Sequence, residues 1–119
     1  MDVTVYSNLA LKSAPDRDID LHASHHQLQL LLGAIGLTGE AGETAEVVKK
    51  HVFHGYPLDR IKLEKELGDV LWYLNFLAIR GCGCGLQQIM ESNINKLAAR
   101  YPEGFFSTER SINRAAGDE

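Results

Sequence analysis

Gly36-Leu37-Thr38-Gly39-Glu40-Ala41-Gly42-Glu43-Thr44-Ala45-Glu46 is followed, nineteen residues later, by Glu66-Leu67-Gly68-Asp69. Three glutamates spaced by three, then a Glu and an Asp spaced by three, make two carboxylate clusters. On an α-helix, residues three apart project from one side about a turn from each other, so each cluster forms an acidic patch. Between the patches stands Gly55-Tyr56-Pro57. Gly suits a helix C-cap and Pro cannot continue a helix, so the chain is expected to turn near Tyr56. In a symmetric antiparallel hairpin about that point, Glu46 and Glu66 are each ten residues away and Glu43 and Asp69 each thirteen, so both pairs lie level. Four facing carboxylates in a partly buried seam repel unless protonated or bridged by cations, and an all-oxygen donor set is what Mg²⁺ or Mn²⁺ prefers. The expected ligands are therefore Glu43, Glu46, Glu66 and Asp69.

Acidic pairs at this spacing also decorate many solvated helix faces. Two features argue against that reading here. The second cluster is embedded in Leu67, Val70, Leu71, Trp72, Leu74 and Leu77, which leaves a narrow polar face. The first is flanked by glycines and alanines, which permit close approach of another helix rather than confer solubility.

The order Glu43-x-x-Glu46, nineteen residues, Glu66-x-x-Asp69, with Gly-Glu-Ala-Gly-Glu before it and Glu-Leu-Gly-Asp-Val-Leu-Trp-Tyr around its end, resembles the MazG-like, all-α nucleoside triphosphate pyrophosphohydrolases. The likeness extends through Asn93-Ile94-Asn95-Lys96-Leu97 and Arg100-Tyr101-Pro102-Glu103-Gly104-Phe105, covering residues 30 to 106. It implies Mg²⁺-dependent hydrolysis of nucleoside triphosphates, including non-standard or deoxy variants, to monophosphate and pyrophosphate, in the service of nucleotide-pool house-cleaning. It also implies that Asn93 and Lys96 match the family's Asn-x-x-Lys pattern. Some members carry two adjacent glutamates where this chain has Gly42-Glu43, with Glu40 one turn earlier. Glu40 is accordingly read as an outer ligand or a water-orienting group, acting with Glu43 and Glu46 in catalysis.

The remainder of the chain supports a single domain over residues 1 to 106 and a polar tail over 107 to 119. With 119 residues, it can bury one core. Twelve basic against sixteen acidic residues argue against coating nucleic acid. No segment reaches the roughly 18 apolar residues of a membrane span, and the start lacks a secretory layout, so a cytoplasmic location is expected. An all-α bundle of four to five helices is expected, with the metal site between two antiparallel helices.

The first helix is expected over Val3 to Ala14, and a charged connector over Asp16 to Asp20. A long second helix is expected from about Leu21, with a kink or break near Gly36 to Gly39. The third is expected from Leu58 or Asp59 to Arg80, and the fourth from Leu86 to Arg100, ending before Pro102. The chain is expected to loosen beyond Asn113.

His51-x-x-His54 and Cys82-x-Cys84 suggest zinc by residue type. They fall at opposite ends of the third helix, more than 20 residues apart at about 1.5 Å each, so they cannot meet within one chain. The cysteines read as reduced thiols. His22, His25 and His26 read as packing or surface residues near the glycine run.

Lys96 and Arg100 share a face with Asn93 and are the expected phosphate-holding residues, with Lys50 as a further one. Trp72, Tyr73 and Phe76 cover more of the third helix than a free monomer of this size buries, so a homodimer or homotetramer is expected. Two alternatives stand beside this reading. One is a narrower enzyme of the dUTPase or phosphoribosyl-ATP type. The other is a non-catalytic helical interaction protein, which tolerates loss of all four acids. A ferritin-like di-iron bundle needs His three residues after Glu, where this chain has Glu46 and Asp69.

Overall fold

A computed structural model describes residues 1–14 and 23–114. The expected connector Asp16 to Asp20, the start near Leu21, and His22 lie outside the described residues, as does the end of the tail. The elements are α1 (Val3–Lys12), α2 (His25–His54), α3 (Arg60–Leu77), a π-helical turn (Ala78–Cys82), α4 (Leu86–Arg100) and α5 (Thr108–Ile112). Among the described residues there is no strand, as an all-α chain requires. No described helix is long and apolar enough to cross a membrane.

Local chemistry explains the boundaries. Ser24 opens α2 through a reciprocal capping box: its hydroxyl accepts from Gln27 N–H at 3.1 Å, and the Gln27 side chain accepts from Ser24 N–H at 2.8 Å. Gly55 ends α2 in the left-handed conformation, φ 71°, where a side chain would be strained. Asp59 caps α3, its Oδ1 accepting from Lys62 N–H at 2.9 Å. The helix does not stop cleanly at Arg80 as expected. It passes into the π turn at Ala78, and Gly83, at φ 67°, closes it. The tail holds more structure than its composition implies: Ser107 caps α5, and Arg110 pairs with Glu103 at 3.1 Å.

The long helix α2 runs without the expected break, and its glycines explain why. A Cβ on Gly33 would meet Leu77 at 2.7 Å and Phe76 at 3.1 Å, and one on Gly36 would collide with the Tyr73 ring. Large residues of α3 are seated on the bare backbone of α2, which offsets the roughly 1 kcal/mol that each interior Gly costs. Gly39 and Gly42 have open space where a Cβ would stand.

Packing is concentrated between α2 and α3 and onto the π turn that follows them. Little is buried: among the described apolar side chains only Val47, at 6% exposure, and Ala78, at 3%, are enclosed. Trp72 stacks on Phe76 with ring centroids 5.5 Å apart and remains 56% exposed.

The register of the hairpin differs from the symmetric expectation. Gly36 lies 18 residues before the end of α2 (54 − 36), and its partner Tyr73 lies 13 after the start of α3 (73 − 60). At 1.5 Å per residue, α2 therefore overhangs α3 at the closed end by five residues, about 7 Å. The loop folds back beside this overhang. Gly55 and Tyr56 both donate backbone N–H to Lys50 O, the latter at 3.3 Å, and His51 Nδ1 lies 2.8 Å from Tyr56 O.

Candidate metal centre

The overhang selects which carboxylates meet. Glu40 on α2 and Glu66 and Asp69 on α3 each place a carboxylate oxygen so that all three lie within 4.8 Å of one another. Glu40 and Glu66 are half-buried and Asp69 is exposed. Asp69 thus faces Glu40, where a symmetric hairpin sets it against Glu43. Relative to that symmetric register the helices are slid by three residues, which moves every α2 partner about a turn away from the loop. Partial burial, followed by the charges of Asp69, Glu66 and Glu43, pushes the Glu40 carboxyl above its ordinary range. That ordering shows Glu43 within the same field although it stands outside the group of three.

Glu46 lies further toward the loop and is otherwise engaged. Lys49 Nζ sits 2.7 Å from Glu46 Oε2, and Lys50 Nζ sits 3.9 Å from Oε1. The hydrogen bond donated by Lys49 holds the Glu46 carboxyl below its usual range. Asn93, Lys96 and Arg100 are carried on α4, which the structure does not pack extensively against α2 or α3. His51 and His54 belong to the last turn of α2, while Cys82 and Cys84 lie at and beyond the π turn.

The donor set fits a hard divalent cation. Three carboxylates offer oxygen ligands only, no Cys or His among the described residues joins them, and their mutual repulsion favours a bound positive charge. Glu40, Glu66 and Asp69 are the residues that would hold it, with Glu43 adding negative charge beside them. Sequence spacing alone underrated Glu40. The signal that identifies it is the pairing of small against large residues, Gly33 and Gly36 against Leu77 and Tyr73, which sets the register.

Residues 29–105 match the MazG nucleotide pyrophosphohydrolase domain. The chain belongs to this family. It is also 39% identical over 74 residues to the Gene 37 protein of Mycobacterium phage L5, a match covering 59% of this chain and 64% of that relative. The chain therefore spans slightly less than two thirds of that relative's length. No solved structure matches it significantly.

Proposed function

We propose that this MazG chain hydrolyses nucleoside triphosphates, including non-standard or deoxy variants, to the monophosphate and pyrophosphate, with Mg²⁺ or Mn²⁺ as cofactor. The observation that carries the reading is the convergence of Glu40, Glu66 and Asp69 in a chain of this family. The cation supplies Lewis acidity toward phosphate oxygens and lowers the pKa of water beside it. The chain contributes position and charge. Water attacks the α-phosphorus, the bond from that phosphorus to the bridging oxygen breaks, and pyrophosphate departs with the electron pair. Glu40, which the sequence reading also offers as a water-orienting group, lies beside the other two carboxylates and is placed to receive the proton of that water. Glu43 extends the negative field toward the loop, and Glu46, paired with Lys49 and Lys50, ties those lysines to the end of the acidic run. The setting we infer is nucleotide-pool house-cleaning in the cytoplasm.

The working unit we infer is a homodimer or homotetramer. The accessible surface is 9830 Å², against about 6,400 Å² for a compact monomer of this mass. The radius of gyration is 20.0 Å, against about 13.5 Å for a compact chain of this length. A second copy laid on the exposed leucines of α2 and on Leu71 and Trp72 of α3 would hide apolar surface that one chain leaves in water. It also offers a route for Asn93, Lys96 and Arg100 of α4 in one copy to reach the carboxylate group of another.

The test is a panel of nucleoside triphosphates and diphosphates with Mg²⁺ and with Mn²⁺, products resolved by chromatography. Monophosphate plus pyrophosphate from a triphosphate is the expected outcome. Orthophosphate as the first product overturns it.

A further inference from the structure

Gly81-Cys82-Gly83-Cys84-Gly85 joins the α2–α3 hairpin to α4 and holds both cysteines of the chain. Both thiols are free; Cys82 is exposed and Cys84 half-buried. The turn that carries them is anchored at one point. Ala78, enclosed at 3% exposure, offers a carbonyl that accepts from Gly83 N–H and also from Cys84 N–H, the latter at 3.1 Å. On the near side Gly81 lies against α2, where an added Cβ would come within 3.3 Å of the Leu30 side chain. The root of the turn is therefore fixed to the hairpin.

Gly83 sets the separation of the two cysteines. Its φ of 67° and ψ of 22° lie in the left-handed region, near the mirror image of helical values, so the Cα atoms on either side stand as far apart as residues two apart in an α-helix, roughly 5.5 Å. A disulfide spans Cα atoms about 4.4–6.8 Å apart. A Cβ added at Gly83 or Gly85 would meet nothing, so the space around the turn is open for the two side chains to close on each other. Beyond the turn the chain is held loosely. α4 opens on Gly85, which has no side chain to cap the first-turn N–H groups, and the first backbone bond, from Ile89 N–H to Gly85 O, is long at 3.4 Å. The helix does not pack extensively against α2 or α3. A fixed root and a loosely held helix thus meet at Cys84.

We propose that Cys82 and Cys84 form a reversible redox-modification site, a dithiol that closes to an intramolecular disulfide by exchange with a small-molecule disulfide and thereby re-aims α4. The exposed Cys82 thiolate attacks one sulfur of the small disulfide, a mixed disulfide forms on Cys82, and the first small thiolate leaves with the electron pair of the broken S–S bond. The Cys84 thiolate then attacks Cys82 Sγ, forming the Cys82–Cys84 bond and expelling the second small thiolate. The two cysteine protons pass to the two leaving thiolates, so the protein is oxidised by two electrons and the small disulfide is reduced to two thiols. Drawing the two sulfurs to bonding distance turns Gly83 and takes Cys84 N–H off Ala78 O, and the uncapped first turn of α4 moves with it. Because α4 carries Asn93, Lys96 and Arg100, nucleotide turnover becomes redox-sensitive. That last link rests on the triphosphate reading above; the disulfide itself does not.

Incubation of the full-length protein with oxidised glutathione, followed by intact mass, peptide mapping and hydrogen exchange, tests both parts without turnover. Wild type is expected to lose two hydrogens while retaining no glutathione, and dithiothreitol is expected to reverse the change. Cys84→Ser is expected to stop at a stable glutathione adduct on Cys82. Cys82→Ser is expected to react about tenfold more slowly, because only the less exposed thiol remains. Amide exchange in the first turn of α4 is expected to quicken about tenfold on oxidation, with exchange in α2 and α3 changing less than twofold. A wild type that ends as a stable glutathione adduct, as two chains joined by a disulfide, or unreacted overturns the site. An oxidised protein whose α4 exchanges as before overturns the coupling. Disulfide closure in a protein that hydrolyses no triphosphate keeps the redox site and removes its link to turnover.

Discussion

The two halves of the α2–α3 seam are built from similar sequence and do opposite things. In the half away from the loop, Gly33 and Gly36 let Leu77, Phe76 and Tyr73 lie on the backbone of α2, so the helices close tightly and exclude charge. In the half toward the loop, Gly39 and Gly42 meet nothing, the helices present Glu40, Glu43, Glu66 and Asp69, and the seam stays open. The tight half sets the register; the open half uses it. A site of repelling carboxylates folds because the neighbouring half supplies the packing that holds it in place.

The largest expected effect falls in the open half. Glu66→Gln removes one member of the carboxylate group at nearly constant shape and should lower triphosphate turnover by about 10²–10³-fold or more. Asp69→Asn should do the same. In EDTA either variant should melt at or above the wild-type temperature because a repelling charge is gone, while the gain on adding millimolar Mg²⁺ should shrink. If Asp69→Asn lowers the melting temperature in EDTA and wild type gains nothing from Mg²⁺, the carboxylate is a structural acceptor.

The outer face of the same helices supplies the next test. Light scattering at micromolar concentration should give at least twice the chain mass of 13.2 kDa, and Trp72→Asp should reduce it to a single chain. A wild-type mass near 13.2 kDa across that range rules out the second copy.

Two glycine substitutions set the halves against each other directly. Gly36→Ala drives a methyl into Tyr73 and should cost about 1–3 kcal/mol in urea unfolding. Gly42→Ala meets open space in an unbroken helix and should stabilise by about 0.5–1 kcal/mol. Equal effects would mean that the halves do not differ as described. Asp59→Ala should cost about 1 kcal/mol through loss of the α3 cap, with little effect on the register.

The turn between α2 and α3, the span of α4 and the existence of two acidic patches are legible in the sequence alone. Gly55, Asp59 and the span of α4 follow from local rules, because capping depends on backbone groups a few residues away. The acidic residues of the site are also readable as a set, since helical spacing puts Glu40 near Glu43 and Glu66 near Asp69 whatever surrounds them. Tertiary structure alone decides which members meet. Symmetry about Tyr56 favours Glu43 and Glu46, but helix ends do not fix how far one helix slides past another. That slide is set by shape, by Tyr73 and Leu77 finding places on α2 where the backbone is bare, and it costs the loop a fold back of five residues. The same slide brings Glu40 to Glu66 and Asp69.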